Sequence, residues 1–503
     1  MHPALPHPVL LATALLWGAL CGVNSLHAEL LAGVAKVDIT DRSGPVNDPL
    51  YVKALALKSG QTTAILVTLD AVAVGEIGSI KNDYLPTLRA RLEKELGIAR
   101  TNVLVNASHC HGIVASDVGE RSFQAVRQAL KQLVPVTVGV GLGHEDRVSE
   151  NRRIRLKDGR TIDVRHAYPF AADADIAAVG PIDPAIGVLR LDRADGRPLA
   201  VVYNFACHPI QGVPSGANTA DITGFASQVI EDNLGQGAIA LFVQGCGGDI
   251  NPASYKAIDQ PRDAEPLGNM LGLSTLKAVH KVQSKTDDRL VVRNETLALP
   301  RADLAQRIAQ LEQEQARLAA SFKGTTLNLK SFLQLMVKHG LAEEFPSSSA
   351  ARYLHEKALG REQLSRLDAE NRKNVEAYVQ NVLTMEELTR VQTNLALLRK
   401  HQAQNVAAGQ RTVDVELVGL RVGEFVLLTF PGELTVQIGL SLKSKSPHGS
   451  TFIAGYTIGY IYYAPTTEQL QNAGNAQEDS DCILGPEWQE MFETRAIEML
   501  KAL

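Results

Sequence analysis

What most constrains this chain is a recurring unit: a short apolar run, then a polar residue, then an amphipathic stretch. Residues 63–69 form such a run, which ends at Asp70 and is followed by helical spacing over 85–96 and a closing Gly97. Residues 102–105 give way to Asn106-Ala107-Ser108-His109-Cys110-His111-Gly112, with an amphipathic stretch at 123–133 behind them. Residues 199–205 lead to Cys207-His208-Pro209 and a helical stretch at 224–232. Residues 238–243 lead to Gln244-Gly245-Cys246-Gly247-Gly248-Asp249-Ile250-Asn251-Pro252. Apolar runs alternating with helices predict an α/β fold: a mixed, largely parallel buried sheet flanked by helices.

Ligands of such sheets bind beyond the carboxyl ends of the strands. Asp70, His109, His111, His208 and Asp249 all fall at such ends. Alternate residues of a strand share a face, so His109 and His111 can point the same way. Neutral imidazole is the commonest zinc ligand, and two of them are half of a metal site.

Between residues 301 and 410 the pattern changes. Leu304, Ile308, Leu311 and Leu318 keep helical spacing, as do Leu388, Val391, Leu395 and Leu398, among many charged and amide side chains. The expectation is a helical insertion built on an antiparallel pair of long helices with less regular structure between. Strand-like runs return at 413–417 and 425–430, the second ending at Pro431-Gly432-Glu433, and residues 455–465 carry four tyrosines within eight positions.

Composition narrows the class. A chain that is 45% hydrophobic and 21% charged supports a sizeable core, and a net charge of -5 without a basic block argues against a nucleic-acid partner. The apolar run at 9–20 has the length of a secretory leader and is too short to span a bilayer, so residues 1–28 are expected to be a signal peptide and the chain exported, periplasmic or secreted. No later run is long enough for a transmembrane segment. Cys110, Cys207, Cys246 and Cys482 are too few and too scattered for a disulfide scaffold and read as small buried residues.

Six short motifs, taken in order, carry a resemblance. Residues 106–112, Asn151-Arg152, 204–209, 248–252, 430–434 and 459–463 resemble the catalytic domain of the neutral ceramidases, zinc amidohydrolases that cleave the N-acyl bond of ceramide. The resemblance covers residues 29–503 as one catalytic domain, with 301–410 inserted, and the immunoglobulin-like C-terminal domain of that family is not expected here. It implies one zinc ion per chain, held by His109, His208, Glu433 and Tyr463. Tyr463 is chosen because Gly459-Tyr460-Ile461-Tyr462-Tyr463 matches the family's Gly-Tyr-x-x-Tyr, which leaves Tyr460 a neighbour in the site. His111 matches a histidine behind the ligands, and Arg152, or the adjacent Arg153, an arginine facing the active site.

Two imidazoles, a carboxylate and a weak phenolate leave zinc room for a water of lowered pKa, suited to attack on an amide or ester carbonyl. Donors for the developing oxyanion are sought in His111, Arg152 or the Gly247 and Gly248 amides, and His111 is the choice for protonating the leaving amine. Asn251 stands where ceramidases have serine and cannot form an acyl-enzyme in the serine manner. The expected function is a ceramidase-like zinc hydrolase of lipid or sphingolipid metabolism, acting on ceramide, another N-acyl amide or an ester. The other reading is a metal- or ligand-binding protein that kept the fold and lost turnover.

Overall fold

The computed structural model describes residues 29–503, apart from 165–170, 254, 256, 258, 260, 347–349 and 473–475. The expected signal peptide, 1–28, lies outside the described residues. Eight strands form the principal sheet, in the order Ile239–Gln244, Pro198–Phe205, Ala185–Arg193, Val134–His144, Leu31–Asp38, Tyr51–Ser59, Thr62–Leu69 and Val103–Ala107. A second sheet orders Leu290–Pro300, Thr412–Val422, Phe425–Thr429 and Thr451–Ala454.

The α/β class and the mixed sheet are as expected, but antiparallel pairing outweighs parallel. In the large sheet only Thr62–Leu69 with Val103–Ala107 and Pro198–Phe205 with Ile239–Gln244 run parallel. The reason lies in the connections. Tyr51–Ser59 and Thr62–Leu69 are joined by Gly60-Gln61 alone, with Gly60 in the left-handed region at φ 56°, and so tight a turn can only return the chain antiparallel.

Parallel pairs need a crossover, and here the crossover is a helix each time. Tyr84–Leu96 lies between the first pair and Asp221–Leu234 between the second, while Val436–Lys445 separates Phe425–Thr429 from its parallel neighbour Thr451–Ala454. Each helix presents apolar residues to the core, among them Leu88 and Leu92, Ile222 and Ile230, and Ile438 and Leu442. Burying a side chain of this size contributes roughly 1.5–3 kcal/mol. Because the three pairs are right where the motifs fall, their carboxyl ends deliver the motif residues to one place.

Two buried asparagines fasten those ends together. Asn106 Nδ2 donates to Gly455 O at 2.9 Å and Thr457 Oγ1 at 2.8 Å, and its Oδ1 accepts from the Gln244 amide at 2.9 Å. Asn204 Nδ2 donates to Val243 O at 3.0 Å and to Ile453 O at 3.2 Å. A buried amide left unpaired costs about 1–3 kcal/mol, so these contacts fix the sheet ends relative to the tyrosine-rich segment.

Between the second sheet's first two strands stand helices Ala305–Ala320, Leu329–Leu341, Ala350–Ala358 and Gln363–Ala407. Leu311 and Leu318 of the first pack on Val391, Leu395 and Leu398 of the last. Those two run antiparallel: the Leu304 amide donates to Gln402 Oε1 at one end, and the Lys323 amide to Asn381 Oδ1 at the other. Among the described residues no helix is long and apolar enough to cross a membrane.

Candidate metal centre

His109 follows the strand Val103–Ala107 in a left-handed conformation, φ 67°, that non-glycine residues seldom adopt. Its amide donates to Ala71 O at 2.9 Å and its Nδ1 lies 2.6 Å from Val72 O, both just past the neighbouring parallel strand. His208 follows Pro198–Phe205, and its Nδ1 lies 3.1 Å from Ile250 O. A carbonyl only accepts, so each Nδ1 carries the proton and each Nε2 turns its lone pair inward.

Glu433 faces both. Its Oε2 is 3.1 Å from His208 Nε2 and 3.6 Å from His109 Nε2, and all three side chains are buried. Tyr456 donates to Oε2 at 3.1 Å and Tyr460 to Oε1. Burial pulls His208 down to about 3, with help from the nearby Arg152 guanidinium, so its ring is neutral. The hydroxyls of Tyr456 and Tyr460 donate to the Glu433 carboxylate and so favour its ionised form.

This arrangement places an imidazole lone pair against a carboxylate oxygen, acceptor to acceptor, in a buried space. Such a contact is repulsive unless a cation lies between the two atoms. His109, His208 and Glu433 bring one donor atom each within 4.8 Å of one another, which is a group able to hold a metal ion. The residues present therefore fit a metal.

Tyr463 completes the inner circle. It begins the short strand Tyr463–Ala464, parallel to Glu433–Leu434, and its hydroxyl is 3.4 Å from His208 Nε2 and 3.2 Å from Arg152 Nη2. Gly248 lets the neighbouring chain pass: a Cβ there would sit 2.6 Å from Glu433 O and 2.8 Å from Leu434 O.

Arg152 follows the strand Ser149–Asn151, which pairs with Ile250–Pro252 so that Asn251 stands opposite Glu150, and the Arg152 amide donates to Asp249 O at 3.0 Å. The guanidinium donates to Asn251 Oδ1 at 3.1 Å, to Gly248 O, and through Nε to Glu478 Oε1 at 2.6 Å. Arg153 points away and pairs with Asp479 at 2.8 Å, so Arg152 is the arginine of the pair that lines the cavity. His111 is exposed at the cavity, its ring centroid 5.4 Å from that of His109. The cavity holds about 300 Å³ and takes in His109, His111, Arg152, His208, Asn251, Glu433, Tyr460 and Tyr463.

Several expectations do not carry over. The Gly247 and Gly248 amides donate to Gly245 O at 3.0 Å and Leu434 O at 2.9 Å, so neither is presented to an oxyanion. Asp70 and Asp249 are strand-end residues outside the cavity: Asp70 accepts from the Tyr51 amide, and Asp249 from the Val436 amide at the start of Val436–Lys445. Cys110, Cys207, Cys246 and Cys482 are, as expected, small buried residues, and none belongs to the metal group. Tyr456, Glu478, Lys400 and Asp481 were not anticipated as site residues. Tyr456 had a signal, its place in the tyrosine cluster; the other three lie in stretches with no local pattern.

No protein-family model matches the chain, and no curated protein does. Solved structures do match. They include the crystal structure of neutral ceramidase from Pseudomonas aeruginosa, with a TM-score of 0.58 and 15% identity over 95% of this chain and 75% of that one. A ceramidase complexed with C2 gives a TM-score of 0.58 and 16% identity over 94% and 75%. The protein has a ceramidase-like fold. All six motifs that resemble the neutral ceramidases lie around or directly behind this cavity.

Proposed function

We propose that the chain is a zinc-dependent hydrolase of the neutral ceramidase type, cleaving the C–N bond of an N-acyl amide, ceramide or another acyl amide, or an ester. The observation that carries the reading is the 3.1 Å approach of a neutral His208 Nε2 to the Glu433 carboxylate. His109, His208 and Glu433 would hold one zinc ion per chain, with Tyr463 as fourth donor. When bound, zinc supplies Lewis acidity, which lowers the pKa of water toward neutrality and polarises a carbonyl.

The chain's own groups do the rest. The Val72 and Ile250 carbonyls fix the imidazole tautomers, and Tyr456 and Tyr460 hold the Glu433 carboxylate in place. Arg152, positioned by Glu478 and Asn251, sets a guanidinium beside the cavity where negative charge develops on the acyl oxygen. His111, at the exposed side, gives a proton to the departing amine nitrogen. Asn251 serves as a hydrogen-bonding partner and not as a nucleophile. In sum, water's hydroxyl joins the acyl carbon and a proton joins the nitrogen as the C–N bond breaks. Export is part of the reading and rests on the apolar run at 9–20.

A volume of about 300 Å³ is at the small end of the roughly 300–1,000 Å³ usual for ligand pockets, so the amide and its neighbours enter while long chains stay outside. The test is hydrolysis of ceramide and short N-acyl amides by the zinc-loaded chain and by Glu433→Ala. Turnover lost in the variant supports the reading. Tight binding of amides without turnover in the wild type favours the binding-protein alternative.

A further inference from the structure

The long helix Gln363–Ala407 carries none of the six motifs, yet its Lys400 lines the cavity together with Arg152 and Glu433. The ammonium lies 4.4 Å from the centroid of the Tyr462 ring. That ring is itself fixed: Gln404 Nε2 donates to its hydroxyl at 3.0 Å, and the hydroxyl donates to Glu76 Oε2 at 3.1 Å. The adjacent His401 is buried, with Nε2 2.6 Å from Asp481 Oδ1, and the Tyr463 amide donates to Asp481 O at 3.0 Å. One turn of the helix is thus bound to the segment that carries Tyr463, which sets the backbone of Lys400 relative to that segment.

Lys400 is exposed at the cavity. Lys400 forms no ion pair among the described residues, whereas Arg152 is paired with Glu478. Asp481, the other carboxylate on this side of the cavity, is engaged by His401. Ile77, Ile210 and Val213 add apolar wall to the same cavity. An aromatic face steadies an ammonium without neutralising it.

We propose that Lys400 binds a carboxylate carried by the substrate a few bonds from the scissile amide, so that the site selects N-acyl amino acids over uncharged amides such as ceramide. The small cavity enforces the short spacing. The inference rests on the hydrolase reading and refines its substrate class. The reaction is the same amide hydrolysis: the C–N bond breaks, hydroxyl joins the acyl carbon and a proton joins nitrogen, releasing a fatty acid and an amino acid.

The test pairs binding with turnover. Octanesulfonyl-glycine and octanesulfonyl-ethanolamine differ in the carboxylate and resist hydrolysis, so calorimetry on the full metal-loaded chain reads recognition alone. The glycine compound is expected to bind on the order of tenfold tighter to the wild type, with the preference reduced to about twofold or less in Lys400→Gln and kept in Lys400→Arg. Equal binding by the wild type, or a preference that survives Lys400→Gln, overturns the proposal. N-octanoylglycine and N-octanoylethanolamine are then offered as substrates. Cleavage of both amides at equal kcat/KM without a binding preference refutes the anion site and leaves the hydrolase standing. A binding preference without cleavage of either amide supports the anion site and contradicts the hydrolase.

Discussion

Arg152 Nε lies 2.6 Å from Glu478 Oε1, and both side chains are wholly excluded from solvent. Two charges taken out of water are tolerable only while paired. Glu478 also lies 3.3 Å from Arg153, so its loss would take a buried carboxylate from Arg152 and weaken the hold on a second guanidinium. Glu478→Gln is expected to cost about 3–5 kcal/mol in chemical denaturation. A loss below about 0.5 kcal/mol, the range of ordinary surface changes, would show that the pair does not support the fold.

Gly248 tests the packing behind the metal group. A methyl there meets two backbone carbonyls, Glu433 O and Leu434 O, and backbone in paired strands cannot step aside cheaply. Gly248→Ala is expected to destabilise by about 1–3 kcal/mol and to weaken metal retention, since the displaced carbonyl belongs to Glu433 itself. Gly449→Ala is the control, because a methyl there meets nothing within 4 Å. Equal metal content and midpoint in the two variants would contradict the account of Gly248.

Asp70 gives a pH signature separate from the metal group. Burial raises its carboxyl to about 6 against the opposing pull of Lys53. Folding therefore favours the protonated form: the contribution is fully present below the unfolded value, near 4, and is lost as pH rises through about 6. Asp70→Asn mimics that form and keeps an acceptor for the Tyr51 amide. The variant is expected to gain on the order of 1–3 kcal/mol relative to wild type between pH 4 and pH 7. Parallel stability profiles in urea would contradict it.

How much of this was legible in the sequence depends on distance along the chain. Strand ends announce themselves locally, where an apolar run meets a polar residue, and His109, His208 and Glu433 do lie just past or at the start of strands. The direction of strand pairing was not, because periodicity reports that a strand exists and the connection decides how it pairs; Gly60-Gln61 makes a hairpin where the apolar pattern alone suggested parallel neighbours. Glu478 meets Arg152 across 326 positions, and no spacing rule reaches that far. Lys400 lies in a helix whose visible signal, the stripe through Leu395 and Leu398, describes the face packed on Leu311 and says nothing of the face turned to the cavity. The six motifs were legible as a set through their resemblance to the neutral ceramidases, and the ceramidase-like fold agrees with it.

The central claim is that the His109, His208 and Glu433 group holds zinc, and metal content measures it most directly. Elemental analysis of the purified chain is expected to give about one zinc per chain, lost in His208→Ala, with Tyr463→Phe retaining it less tightly because one weak donor is removed. Circular dichroism on the same samples separates metal loss from unfolding. No stoichiometric transition metal in the folded wild type, or zinc retained undiminished in His208→Ala, would contradict the account.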